Sequence, residues 1–164
     1  MNLTRKTYVE INLKNIESNV KKVVSKYNAY QYYIAVVKAD AYGHGSANVA
    51  QSMINGGCNY LAVATLEEAL EIREKINSIP ILCFGMIRKE DLDIYRQNNI
   101  TISIGSVEYA NEIQDTNMKD LKVHIKINTG MNRLRIKYSR RIKTSFRNIE
   151  KKRMFYRRNL YSYI

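Results

Sequence analysis

The sequence predicts an α/β protein built on a parallel sheet. Short apolar runs at 33–37, 60–64, 81–84, 100–104 and 121–127 read as strands, and amphipathic segments of helix length lie between them. Strand and helix alternate without interruption, the pattern of βαβ units. Nothing inside residues 1–134 marks a linker, a low-complexity stretch or a second domain.

Taken in order, Thr7–Leu13 alternates in the manner of a strand. Asn12 then caps a helix that runs to Tyr27, with Ile16, Val20, Val23 and Val24 on one face. Tyr33–Val37 is solidly apolar, as expected of a parallel strand buried on both faces. The turn carrying Gly43 and Gly45 opens a helix over Ser46–Asn55. Ala47, Ala50, Met53 and Ile54 form its apolar stripe, and Gly56-Gly57 stops it. Tyr60–Ala64 is the next strand, and Thr65 with Glu68 forms a capping box for a helix to Ile76. Strand Ile81–Phe84, helix Arg88–Asn98, strand Ile100–Ile104, a helix over Ser106–Asp115 with Ser106 as N-cap, and strand Leu121–Ile127 complete the series.

Alternating strands and helices fit a doubly wound sheet or a (β/α)8 barrel. No GxGxxG follows the first strand, so a dinucleotide-binding open sheet is not expected. In a barrel, functional residues sit at the C-terminal ends of strands. Lys38 and Arg133 both follow strand ends, and a barrel brings them to one mouth. The pattern leaves both architectures open; the motif resemblance described below implies a partial (β/α)8 TIM barrel, its first five to six β/α units, over residues 1–134. A complete barrel takes about 250 residues.

The net charge of +12 is unevenly placed. Residues 1–134 carry 16 Lys and Arg against 14 Asp and Glu, whereas residues 135–164 carry 11 against Glu150 alone. The body is nearly neutral, and nucleic acid is not an expected partner for it. Residues 135–164 show no helical or strand period and read as an irregular basic tail, non-native or disordered. No run is long and apolar enough for a membrane span, and the N-terminus lacks the apolar core of a signal peptide, so a cytoplasmic location is expected. Cys58 and Cys83 are far apart and outside any CxxC spacing, which predicts buried, reduced thiols. His44 and His124 have no acidic cluster beside them and are read as structural or solvent-facing; no metal site is expected.

The chemistry concentrates in Val37-Lys38-Ala39-Asp40-Ala41-Tyr42-Gly43-His44-Gly45. An apolar strand delivers a single lysine to a small, Gly-rich turn. A lysine so placed can lose its proton and attack a carbonyl, forming a Schiff base with an aldehyde cofactor such as pyridoxal 5'-phosphate (PLP). A second stretch, Lys126-Ile127-Asn128-Thr129-Gly130-Met131-Asn132-Arg133-Leu134, ends the last strand.

Both stretches resemble the alanine racemase family of bacteria, PLP enzymes of fold type III. The first is similar to its PLP-attachment motif, and the second to its K-x-D-T-G-M-x-R-L-G. Tyr60–Ala69 and Pro80-Ile81-Leu82 are similar to the family at intermediate points. The resemblance runs from residue 5 to 134 and then stops. It implies a barrel domain that precedes a separate β domain, a homodimer in the intact enzyme, an amino-acid substrate and PLP as cofactor. It implies that Lys38 binds PLP covalently and acts as the base on one face of the substrate. Tyr42 is implied to orient the cofactor. Arg133 is implied to bond the PLP phenolic oxygen and hold the substrate carboxylate. Lys126 is implied to position that arginine, in carbamylated form in some members. The implied activity is interconversion of L- and D-alanine, which supplies cell-wall synthesis. A racemase for another amino acid such as serine, and a non-catalytic PLP-binding or interaction module, are the alternatives.

Asn128 stands where the family carries Asp, and Arg135 where it carries Gly. The family's second base, a tyrosine of the partner's C-terminal domain, and its phosphate-binding groups have no counterpart after residue 134. The expectation is a fragment, inactive alone, truncated by a frameshift near codon 134; translation of the downstream DNA in the other frames tests this. The rival reading of the tail is a basic arm for RNA or an anionic membrane surface.

Overall fold

The computed structural model describes residues 7–113, 116–117, 119–128, 130, 132 and 136, with the backbone of 155–156. The elements are α1 (Leu13–Lys26), β1 (Ile34–Val36), α2 (Lys38–Gly43), α3 (Ser46–Asn55), β2 (Tyr60–Val63), α4 (Leu66–Lys75), β3 (Ile81–Cys83), a 3₁₀ turn (Lys89–Asp91), α5 (Leu92–Gln97), β4 (Ile100–Ile104), α6 (Val107–Ile113), β5 (Lys122–Ile125) and β6 (Phe155–Tyr156). The strands pair in chain order, β1-β2-β3-β4-β5-β6, and every pairing is parallel. This is the open sheet of a partial (β/α)8 barrel.

Local signals place most boundaries. The Asn12 side chain accepts the Asn15 N–H at 3.0 Å and starts α1. Thr65 and Glu68 form the capping box of α4. Ser106 Oγ accepts the Tyr109 N–H at 3.0 Å at the start of α6. One expectation fails: Thr7–Asn12 forms no strand. The alternation is present, but no described strand lies beside it to complete the hydrogen-bonding ladder, and residues 7–10 are exposed. The tail yields β6, which lies beside β5; the rest of the basic segment, Ile136 apart, lies outside the described residues, as does Arg135.

The sheet has two unlike faces. Toward the helices point Ala35, Val37, Leu61, Val63, Ile81, Cys83, Ile100, Ile102, Ile104, Val123 and Ile125, all buried in one continuous core. Each such Leu or Ile contributes about 1.5–3 kcal/mol by leaving water. The alternate residues line the inner face: Ile34, Tyr60, Ala62, Leu82 and Phe84 form a smaller cluster. Polar groups join them there. Tyr60 and Thr101 share a hydroxyl hydrogen bond of 2.6 Å, and the His124 ring lies 5.7 Å from that of Tyr60.

At the opposite end of the strands a buried arginine replaces an apolar plug. Arg73, 9% exposed, donates from Nε to Asn98 O (3.0 Å), from Nη1 to Ile76 O and Ile79 O (3.0 Å each), and from Nη2 to Asn99 O (3.3 Å). It thereby ties the end of α4 to the loops entering β3 and β4.

Candidate functional site at the C-terminal ends of the strands

Lys38 follows β1 after Val37 and is half-buried. The next four residues turn the wrong way for L-amino acids: Ala39, Asp40, Ala41 and Tyr42 have φ of 51°, 52°, 51° and 58°. A left-handed residue costs roughly 1–2 kcal/mol outside glycine. Four in succession amount to one left-handed turn, and such strain collects at functional sites because the surroundings must hold it. Gly43 and Gly45, at φ 84° and 87°, carry the chain out of the turn without adding to that cost.

The restraints are specific. Ala41 N–H donates to Val37 O at 2.9 Å, and Gly45 N–H to Asp40 O at 3.0 Å. The Asp40 carboxylate accepts the Ser46 N–H at 2.6 Å, at the start of α3. The Glu68 carboxylate, reaching from α4, accepts the Ala39 N–H at 2.7 Å. Tyr42 stands on the same turn, 64% exposed.

Lys126 immediately follows β5, which is four strands from β1 in the sheet and therefore across the mouth in a closed eight-stranded barrel. Its Nζ donates to Phe84 O at 2.7 Å and lies 5.8 Å from the Phe84 ring centre. Phe84 and Lys126 line an open cleft with Met86, Ser103 and Tyr109. Burial raises the Tyr109 phenol above its ordinary range. Gly85 closes the cleft's edge: a Cβ there would stand 2.2 Å from Ala64 O, so no other residue fits.

Of the predicted residues, Lys38 and Tyr42 share one turn, and Lys126 shares their end of the sheet. Arg133 lies outside the described residues. Asn128 organises the loop that leads to it: its Oδ1 accepts the N–H groups of Gly130 (3.2 Å) and Asn132 (3.1 Å), and its Nδ2 donates to Asn132 Oδ1 at 2.8 Å. The amide thus supplies both acceptor and donor where a carboxylate would only accept. His44 is exposed, whereas His124 is buried on the inner face. Cys58 is half-buried and Cys83 buried, and both are free thiols. Sequence reasoning missed the hand of the Lys38 turn and the reach of Glu68. The available signals were the small residues Ala39 and Ala41 around Asp40, a type that tolerates positive φ. Among the described residues, no His, Cys, Asp or Glu cluster could hold a metal, and no helix is long and apolar enough to cross a membrane.

Residues 11–163 match the family described as alanine racemase, N-terminal domain. The chain is 42% identical over 130 residues to the alanine racemase of Methanococcus maripaludis, covering 77% of this chain and 35% of that protein. It is 39% identical over 134 residues to alanine racemase 1 of Bacillus subtilis, covering 81% and 34%. The fold is similar to the crystal structure of alanine racemase from Bacillus anthracis with bound L-Ala-P, with a TM-score of 0.80 at 30% identity, covering 92% of this chain and 39% of that one. The chain spans about a third of the length of the curated relatives it matches.

Proposed function

The chain belongs to the alanine racemase family, matching its N-terminal domain, and from that premise we propose that it carries the lysine side of a PLP-dependent enzyme interconverting L- and D-alanine. The observation that carries the reading is Lys38: a primary amine at the C-terminal end of β1, followed at once by a strained turn pinned by two carboxylates. That arrangement fits PLP, which needs an amine held at a fixed place in a partly enclosed mouth.

In this reading Lys38 holds the cofactor covalently and Tyr42 orients it. Arg133 would help hold the cofactor and the substrate carboxylate. PLP, when bound, supplies an electron sink that makes the α-proton of the amino acid removable. Lys38 Nζ takes or returns that proton on one face, and a racemase needs a second base on the other. Lys126 positions Arg133. Carbamylation of Lys126, in which the neutral amine adds carbon dioxide and releases a proton, would leave one N–H to keep its bond to Phe84 O and would add a carboxylate able to bond an arginine. The intact enzyme is read as a cytoplasmic homodimer that supplies D-alanine for the cell wall. These 164 residues alone, with one of the two bases assigned, are read as inactive or nearly so.

The test is to mix the chain with PLP, reduce with borohydride and locate the adduct by mass spectrometry. The expected adduct is on Lys38 and is absent from Lys38→Ala. Labelling scattered over surface lysines in both proteins would refute the assignment. Efficient alanine racemisation by the chain alone would refute the inactivity.

A further inference from the structure

We propose that Glu68 is a positioning residue for Lys38, acting through the peptide bond that joins Lys38 to Ala39. This rests on the reading of Lys38 as the PLP-binding lysine.

Glu68 has the sequence position of an ordinary capping-box residue, three places after Thr65. Its hydrogen bonds are distributed differently. The two bonds of the box proper are long: Glu68 N–H to Thr65 Oγ1 and Thr65 N–H to Glu68 Oε2 are both 3.3 Å. The short ones leave the box. Oε2 accepts the Ala64 N–H at 2.7 Å, and Oε1 accepts the Ala39 N–H at 2.7 Å, 29 residues away in sequence. One oxygen serves the junction of β2 and α4, and the other serves the lysine turn.

The Ala39 N–H belongs to the planar unit that begins at Lys38. Fixing its direction fixes ψ of Lys38 and helps hold φ of Ala39 at 51°, the first of the four left-handed residues. The direction in which the lysine stem leaves β1 therefore depends on a carboxylate from the neighbouring β/α unit. Asp40 holds the far end of the turn to α3, so the turn is pinned at both ends by side chains outside the lysine itself.

The division of the two oxygens makes the idea testable. Glu68→Gln keeps one acceptor, and Gln is an accepted capping-box residue. With its oxygen on Ala64 and Thr65, its NH₂ faces the Ala39 N–H, donor against donor. Thr65→Ala does the converse, weakening the cap while leaving both carboxylate bonds. Three quantities are measured on the full chain: thermal midpoint, hydrogen exchange of the Ala39 amide, and the rate of borohydride-trapped PLP addition at Lys38. Glu68→Gln is expected to melt close to the parent, to exchange Ala39 about tenfold faster, and to label Lys38 about tenfold more slowly. Thr65→Ala is expected to melt lower, with Ala39 exchange and Lys38 labelling near the parent values.

Unchanged exchange and labelling in Glu68→Gln overturn the proposal. So does Thr65→Ala slowing the labelling as much as Glu68→Gln, because the effect would then come from the cap. If the parent chain forms no Lys38 adduct, the functional reading fails by itself. The inference about Glu68 is then decided by Ala39 exchange, which needs no cofactor.

Discussion

Lys126 Nζ donates to the backbone carbonyl of Phe84 at 2.7 Å, so the end of β5 is tied to the end of β3 over the intervening β4. Lys126→Met keeps the stem and removes the donor, leaving Phe84 O unpaired in a half-buried place. A loss of about 1–2 kcal/mol is expected, read as a lower denaturant midpoint at unchanged slope. A midpoint equal to the parent's would show that the bond contributes nothing to the fold.

Arg73 donates to four carbonyl oxygens from two loops, those entering β3 and β4. Burial lowers its pKa from the ordinary arginine value. Arg73→Met strands four carbonyls at once, one in a buried bond and three in part-buried ones, and is expected to cost about 3 kcal/mol. Arg73→Lys should recover only part of this, since a compact ammonium cannot span the fork. Urea unfolding of both variants decides it; a lysine variant as stable as the parent would rule out the geometric argument.

The hydroxyls of Tyr60 and Thr101 meet at 2.6 Å inside the sheet, with both side chains at most 2% exposed. Tyr60→Phe and Thr101→Val should each cost about 1 kcal/mol, and the double variant should cost clearly less than the two together. Strict additivity in that cycle would contradict a shared bond.

Strain in the lysine turn predicts a stabilising substitution. Ala39 is exposed and sits at φ 51°, so Ala39→Gly relieves a steric cost and removes little packing. A gain of about 0.5–1 kcal/mol is expected after the entropy of glycine is counted. A lower thermal midpoint would argue against the left-handed assignment.

Burial raises the Cys58 and Cys83 thiols and the Tyr95 and Tyr109 phenols above their ordinary values. These groups are neutral when folded, and they ionise more readily in the unfolded chain. Their contribution is complete below the ordinary thiol pKa of about 8.5 and is lost as pH rises through and beyond it. Thermal midpoints should therefore be level near neutrality and fall above about pH 9. Cys83→Ala should flatten the first part of that fall. Alkylation of Cys83 should be slow until the chain unfolds.

What was legible in the sequence follows from where the information lies. Asn12, Thr65 and Ser106 act on backbone groups three residues away, so their helices could be read directly from the chain. Ile100–Ile104 is a run of five buried residues whose length and bounds match the strand. Thr7–Asn12 shows the reverse case: alternation describes a strand's side chains but cannot supply a neighbour. The lysine motif was legible as chemistry, and its membership in a family followed, yet its backbone was not.

The sequence by itself determined the α/β order, the capped helices, the lysine at the end of the first strand and the family to which the chain belongs. Those depend on local propensity and on the identity of residues in a row. Only the tertiary structure decided that Lys38 enters a left-handed turn, that Glu68 divides its oxygens between α4 and that turn, and that Arg73 closes the opposite end on four carbonyls. Each brings together groups 20 or more residues apart, or holds a backbone that local preference opposes. Such an arrangement persists only where distant partners offset its cost.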